Sequence, residues 1–80
     1  MNVEISEVRK MVAFGLSISN LEKKLEWMTQ NGQSLLLEWG EDDNLWECCW
    51  IGANGKRYTA FEKDVSQGLS ECIKKLFETL

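Results

Sequence analysis

The sequence predicts an α+β fold, a three-stranded antiparallel meander packed by helices in the order α-α-β-β-β-α. Three observations predict it. Apolar residues recur every three and four positions over 18–28 and again over 65–80, as they do on one face of a helix. Between those stretches the apolar pattern changes to period two, as in a half-buried strand. Two turn-forming clusters, Glu41-Asp42-Asp43-Asn44 and Ala53-Asn54-Gly55-Lys56, cut the alternating stretch into three.

At the start of the chain, Ile5, Val8 and Val12 follow helical spacing, and Gly15 is placed to end that helix. The same residues could equally form a loose arm. A second helix is expected over about 20–30, with Ile18, Leu21, Leu25 and Met28 as its buried stripe. Ser19 and Glu22 would form a capping box, and Asn31-Gly32 a left-handed stop. Glu22, Lys23, Lys24 and Glu26 would occupy its solvated face.

Strands are expected over 33–40, 45–52 and from Arg57 to Phe61. The acidic cluster 41–44 closes the first hairpin, and Asn54-Gly55 signals a two-residue turn in the second. The last helix follows Asp64 as N-cap and carries Val65, Leu69, Cys72, Ile73, Leu76, Phe77 and Leu80 on one stripe. Lys74 and Lys75 near its end suit the helix dipole. Gly68 either weakens the first turn or permits a close approach to the sheet.

Parity sets an expected register. Closing the first hairpin around 41–44 places Leu35, Leu37 and Trp39 with Trp50, Cys48 and Trp46, and a two-residue second turn adds Thr59 and Phe61 to that side. This tryptophan-rich face is the expected core. The opposite face would then carry Leu36, Glu38, Glu47, Cys49, Ile51, Tyr58 and Ala60. A sheet face meant only for water is polar throughout, so a cover is expected for part of this one: the N-terminal helix, a second copy of the chain, or a partner.

Eighty residues support one hydrophobic core, so residues 1–80 are expected to form a single domain. The net charge of −4 disfavours phosphate backbones and anionic membranes and favours basic protein partners. No apolar run is long enough to span a bilayer, and MNVEISEVRK lacks the layout of a signal peptide. Three cysteines, an odd number with Cys48 and Cys49 adjacent, do not make a disulfide framework. Together these features predict a cytoplasmic protein.

Several chemistries lose their residues. The chain has no histidine, which removes the commonest general base, the Ser-His and Cys-His nucleophile pairs and most zinc sites. Cys48 and Cys49 point to opposite faces of a strand and cannot chelate together. Glu38 and Glu47, expected to face each other, are the last paired carboxylates available for acid-base work, and an open sheet gives them no walled cleft. The acidic loop lacks the spacing and glycine of a calcium-binding hand, and the glycines at 52 and 55 precede a strand, not the helix that a phosphate loop needs. No enzyme, metal or cofactor is expected.

The β-β-β-α part, from Gln33 to Leu80, resembles in outline the double-stranded-RNA-binding fold, which runs α-β-β-β-α. That family grips phosphates with lysines at the start of its last helix. Here the stretch reads Glu62-Lys63-Asp64-Val65-Ser66-Gln67, so the resemblance does not carry RNA binding with it. By size and charge alone, the chain is also similar to phage-encoded proteins that block host enzymes or defence complexes.

Residues 38–47 hold five acids, Glu38, Glu41, Asp42, Asp43 and Glu47, and no base. The expected function is therefore a non-enzymatic module that docks on a basic partner protein, as an inhibitor or adaptor does. Leu36, Ile51 and Tyr58 would anchor it, and those five acids would steer the approach. A homodimer formed through the same face is the alternative, and nucleic-acid binding ranks below both.

Overall fold

The computed structural model describes residues 5–80, the side chain of Ile5 excepted. It contains α1 (Ile5–Ser17), α2 (Leu21–Gln30), β1 (Gly32–Gly40), β2 (Leu45–Gly52), β3 (Arg57–Glu62) and α3 (Val65–Glu78). The strands form one antiparallel sheet in the order β1-β2-β3. The class and element order are those the sequence predicts. α2 packs against β1, α3 packs across β2 and β3, and α1 lies on α3 and α2.

The N-terminal stretch is a packed helix, not an arm. Val12 is buried in the core, and Arg9 stacks 4.5 Å above the Phe77 ring while donating to the Leu80 carbonyl. Gly15 does not end α1, which runs on to Ser17. Its lack of a side chain instead admits the Trp27 indole, whose carbons lie 2.7 Å from where a Cβ would stand.

In α2 the cap is Asn20, not Ser19. The Asn20 side chain accepts from the Lys23 amide at 2.9 Å, so the helix starts one residue later than the Ser19–Glu22 box requires. The buried stripe turns with it, enclosing Lys24, Trp27 and Met28 and leaving Leu21 exposed. Trp27 removes far more apolar surface from water than Leu21 does, and it decides the orientation. Lys24 is drawn in beside it, against the expectation of a solvated charge. Its ammonium donates to the Ser70 hydroxyl, and burial lowers its pKa. The stop is not left-handed either. Asn31 sits at φ −111° and uses both its backbone amide and its side-chain amide on the Trp27 carbonyl, each at 2.9 Å.

β1 and β2 pair in the expected register, Leu35 with Trp50, Leu37 with Cys48 and Trp39 with Trp46. Asn44 takes the left-handed conformation at φ 55°, and Asp43 Oδ1 accepts from the Leu45 amide, closing the four-residue loop.

The second hairpin corrects the expected parity. Its loop is three residues, Ala53-Asn54-Gly55, closed by Gly52 donating to Lys56 O at 3.0 Å, with Gly55 at φ 80°. Asn54 accepts from the Lys56 amide and donates to the Tyr58 hydroxyl. The extra residue shifts β3 by one, so Cys48 pairs with Ala60 and Trp50 with Tyr58. Tyr58 and Ala60 therefore face the core, while Thr59 and Phe61 face out. Helix packing explains the choice. A Cβ on Gly68 of α3 would lie 2.5 Å from Cys48 Sγ, so the helix rides close over the Cys48–Ala60 pair and leaves no room for a phenylalanine. Asp64 caps α3 as expected, accepting from the Ser66 amide at 2.9 Å.

Candidate functional site

With all three helices on the tryptophan face, the other face of the sheet is uncovered among the described residues. α1 packs only on the helical layer and does not supply the cover considered above. Alternation along three paired strands arranges the open face in rows: Ser34, Ile51 and Arg57; then Leu36, Cys49 and Thr59; then Glu38, Glu47 and Phe61. Leu36 is 59% exposed and Phe61 54%. Thr59 donates weakly to Cys49 Sγ at 3.7 Å.

The structure brings Leu36, Glu38, Glu47 and Ile51 onto one face, with Glu41, Asp42 and Asp43 exposed in the loop at its end. Tyr58 is not among them. It is buried on the opposite face, its ring 6.0 Å from that of Trp50 and its hydroxyl satisfied by Asn54, because the three-residue loop reverses the parity of β3. Phe61 takes the anchoring position that Tyr58 was expected to hold. A shallow recess of about 260 Å³ lies at this end, lined by Trp39, Leu45 and Phe61 and by Glu38, Glu47 and Asp43. The signal for Phe61 was present in the sequence as Asn54-Gly55, which fits a three-residue loop with glycine at its left-handed position as well as a two-residue one.

Chemically the face is a greasy strip edged by carboxylates. Glu38 and Glu47 are directly paired across β1 and β2, and Phe61 lies beyond Glu47 in the same row. Arg57 is the cation at the far end. Among the described residues, no group of three or more histidine, cysteine, aspartate or glutamate side chains is placed to hold a metal ion. The buried thiols are held neutral. Burial pushes the pKa of Cys72 up to about 12, with Cys48 adding to the shift, and its Sγ donates to the carbonyls of Cys48 and Tyr58. The Cys48 thiol is also raised, by burial first and then by the Glu62 charge.

One tryptophan departs from the expected core. Trp50 is fully buried and Trp46 half-buried, but Trp39 is 44% exposed although it points to the helical side. α3 crosses the sheet at the Cys48–Ala60 pair, so the next row, Trp39, Trp46 and Glu62, lies at the rim of the helical layer.

No helix of the described residues is long and apolar enough to cross a membrane. In comparisons with known proteins, the chain matches no protein-family model, no curated protein and no solved structure.

Proposed function

We propose that the protein is a small cytoplasmic, non-enzymatic binding module that docks on a basic partner protein through its open sheet face and acidic hairpin, as an inhibitor or adaptor does. The observation that carries this reading is the pairing of exposed apolar side chains with unshared negative charge on one uncovered surface. Leu36 and Phe61, each more than half exposed, flank the Glu38–Glu47 pair, and the 41–43 acids extend the same charge to the hairpin tip. Apolar anchors surrounded by charge are the anatomy of a docking patch, and the acids would steer a positively charged surface toward it. Ile51, with Cys49 and Thr59, would complete the apolar centre.

The test is retention of a partner from cell extract on the wild-type protein and on a Leu36→Asp, Phe61→Asp double variant, with the retained protein then titrated across a salt series. Retention lost in the double variant and weakened by salt supports the reading. Retention equal in both proteins, or indifferent to ionic strength, rejects it.

A second reading, a homodimer through this face, draws on the presence of both signs of charge there: Arg57 in one row and Glu38 with Glu47 in another could pair across a two-fold axis. Sedimentation at micromolar concentration separates the two, since a strict monomer rejects the dimer.

A further inference from the structure

The rim row of the helical side carries a second set of features that the open face does not use. Trp39 and Trp46 are cross-strand partners with ring centroids 5.4 Å apart and planes at 56°. Trp46 packs against the core, so it buttresses Trp39 and holds that exposed indole in place. The third member of the row is Glu62, across β2 from β3. Its Cβ lies 3.8 Å from where a Cβ on Gly68 would stand, which puts the base of the side chain under the first turn of α3, across from Trp46.

Glu62 is half-buried, and its charge reaches the Cys48 thiol, yet its carboxylate makes no hydrogen bond or ion pair among the described residues. Lys63, next along the chain, does not neutralise it. A half-buried carboxylate without a cation on β3 and an exposed indole on β1, joined in one row by Trp46 of β2, present two complementary halves of a cation site: the ring quadrupole and the anion.

We infer that Trp39, Trp46 and Glu62 form a receptor for an arginine side chain of a partner protein, so that the β1–β2 hairpin is held from both of its faces. The inference rests on the reading that the partner is basic, and it shares only Trp39 with the open face, since Trp39 also lines the recess beside Phe61. Arginine is favoured over lysine by geometry. A planar guanidinium lies flat on an indole while its N–H edge reaches a carboxylate, whereas an ammonium is a more strongly hydrated point charge with no flat face to stack.

The probe is an acetylated, amidated pentapeptide, Gly-Arg-Gly-Arg-Gly, titrated to millimolar concentration into the ¹⁵N-labelled full chain at low salt. Lysine and citrulline versions serve as controls. The expected result is movement of the indole N–H signals of Trp39 and Trp46 but not of Trp27 and Trp50, strongest with arginine and absent with citrulline. Trp39→Ala and the isosteric Glu62→Gln should each weaken the arginine response about five-fold or more, with amide dispersion confirming that each variant is folded. Leu36→Asp, which lies outside the recess that Trp39 lines, should leave it intact. Shifts confined to amides of the open face would overturn this inference while leaving the docking reading standing. A response equal for arginine and citrulline, or no indole movement at all, would overturn it as well.

Discussion

The indole N–H of Trp50 donates to the carbonyl of Met28 at 2.9 Å, tying the middle strand to the last turn of α2 in the fully buried core. That carbonyl is one of the helix-end acceptors left without an intrahelical partner. Gly32 makes the bond possible, because a Cβ there would lie 2.3 Å from Trp50 Nε1 and 2.7 Å from Met28 O. Trp50→Phe should therefore cost about 1–3 kcal/mol for the orphaned acceptor, before any lost packing. Gly32→Ala should cost a similar amount through overpacking. Urea unfolding of the two single variants and the double variant checks this, and the double should lose less than the sum, because both changes act on the same bond.

Gly68 tests the distance between helix and sheet. In an open helix, Gly→Ala stabilises by about 1 kcal/mol. Here the new methyl would meet Cys48 Sγ at 2.5 Å, and Cys48 is fully buried with nowhere to move. Gly68→Ala should destabilise by about 1–3 kcal/mol, and adding Cys48→Ala should recover part of that loss although Cys48→Ala alone creates a cavity. Simple additivity in chemical denaturation would argue that the two groups do not touch.

Deleting Ala53 would leave Gly52 opposite Lys56 across a two-residue Asn54-Gly55 turn, so β3 would keep its register, with Tyr58 and Ala60 still under α3. Ala53 is exposed, so an ordinary surface deletion there would be mild. Because the strand pairing is retained, the deletion variant should keep a cooperative unfolding transition, as should Ala53→Gly, which should stay within about 1 kcal/mol of the parent. A deletion variant that unfolds without cooperativity would mean that the pairing is not held by Gly52 and Lys56. Circular dichroism with urea titration distinguishes the outcomes.

That same loop marks where the sequence stops being legible. Period and punctuation were enough for five elements, for the β1–β2 register and for the Asp64 cap, because each depends on neighbours within a few residues, while α1 reads equally as a helix or an arm. Asn54-Gly55 suits two loop lengths of opposite parity, and the choice belongs to α3, whose close approach at Gly68 excludes Phe61 from the inner face. The open face was therefore readable on β1 and β2, with Leu36, Glu38, Glu47 and Ile51, and misread on β3 at Tyr58. Lys24 and Trp39 escaped for a related reason. Their exposure depends on how far a neighbouring helix rolls or reaches over the sheet, and no local pattern encodes that distance.

Stability should fall in alkali. The Cys72 thiol is raised from 9.0 to about 12 in the folded protein, so between those values the unfolded chain binds fewer protons than the folded one and is favoured as pH rises. The stabilising contribution is complete below the unfolded value and is lost across the window up to about 12. Lys24, lowered by burial, has the opposite sign, since the unfolded chain holds its proton longer. The difference in unfolding free energy between wild type and Cys72→Ala cancels the Lys24 contribution, and it should shrink between pH 8 and pH 10.5. A difference that stays flat would place the thiol in water.

Cys49 offers a direct probe of the open face. It is half-buried between Leu36 and Thr59 in the central row, whereas Cys48 and Cys72 are fully buried with raised pKa values. Thiolate access governs alkylation, so N-ethylmaleimide at neutral pH should add one group to the folded protein, at Cys49, and three after denaturation, as read by intact mass. An adduct there stands in the middle of the proposed contact and should abolish partner retention, while a bound partner should protect Cys49 from the reagent. An adduct that leaves retention unchanged would move the interface off this face, and the Trp39–Trp46–Glu62 rim would become the surface to test by substitution.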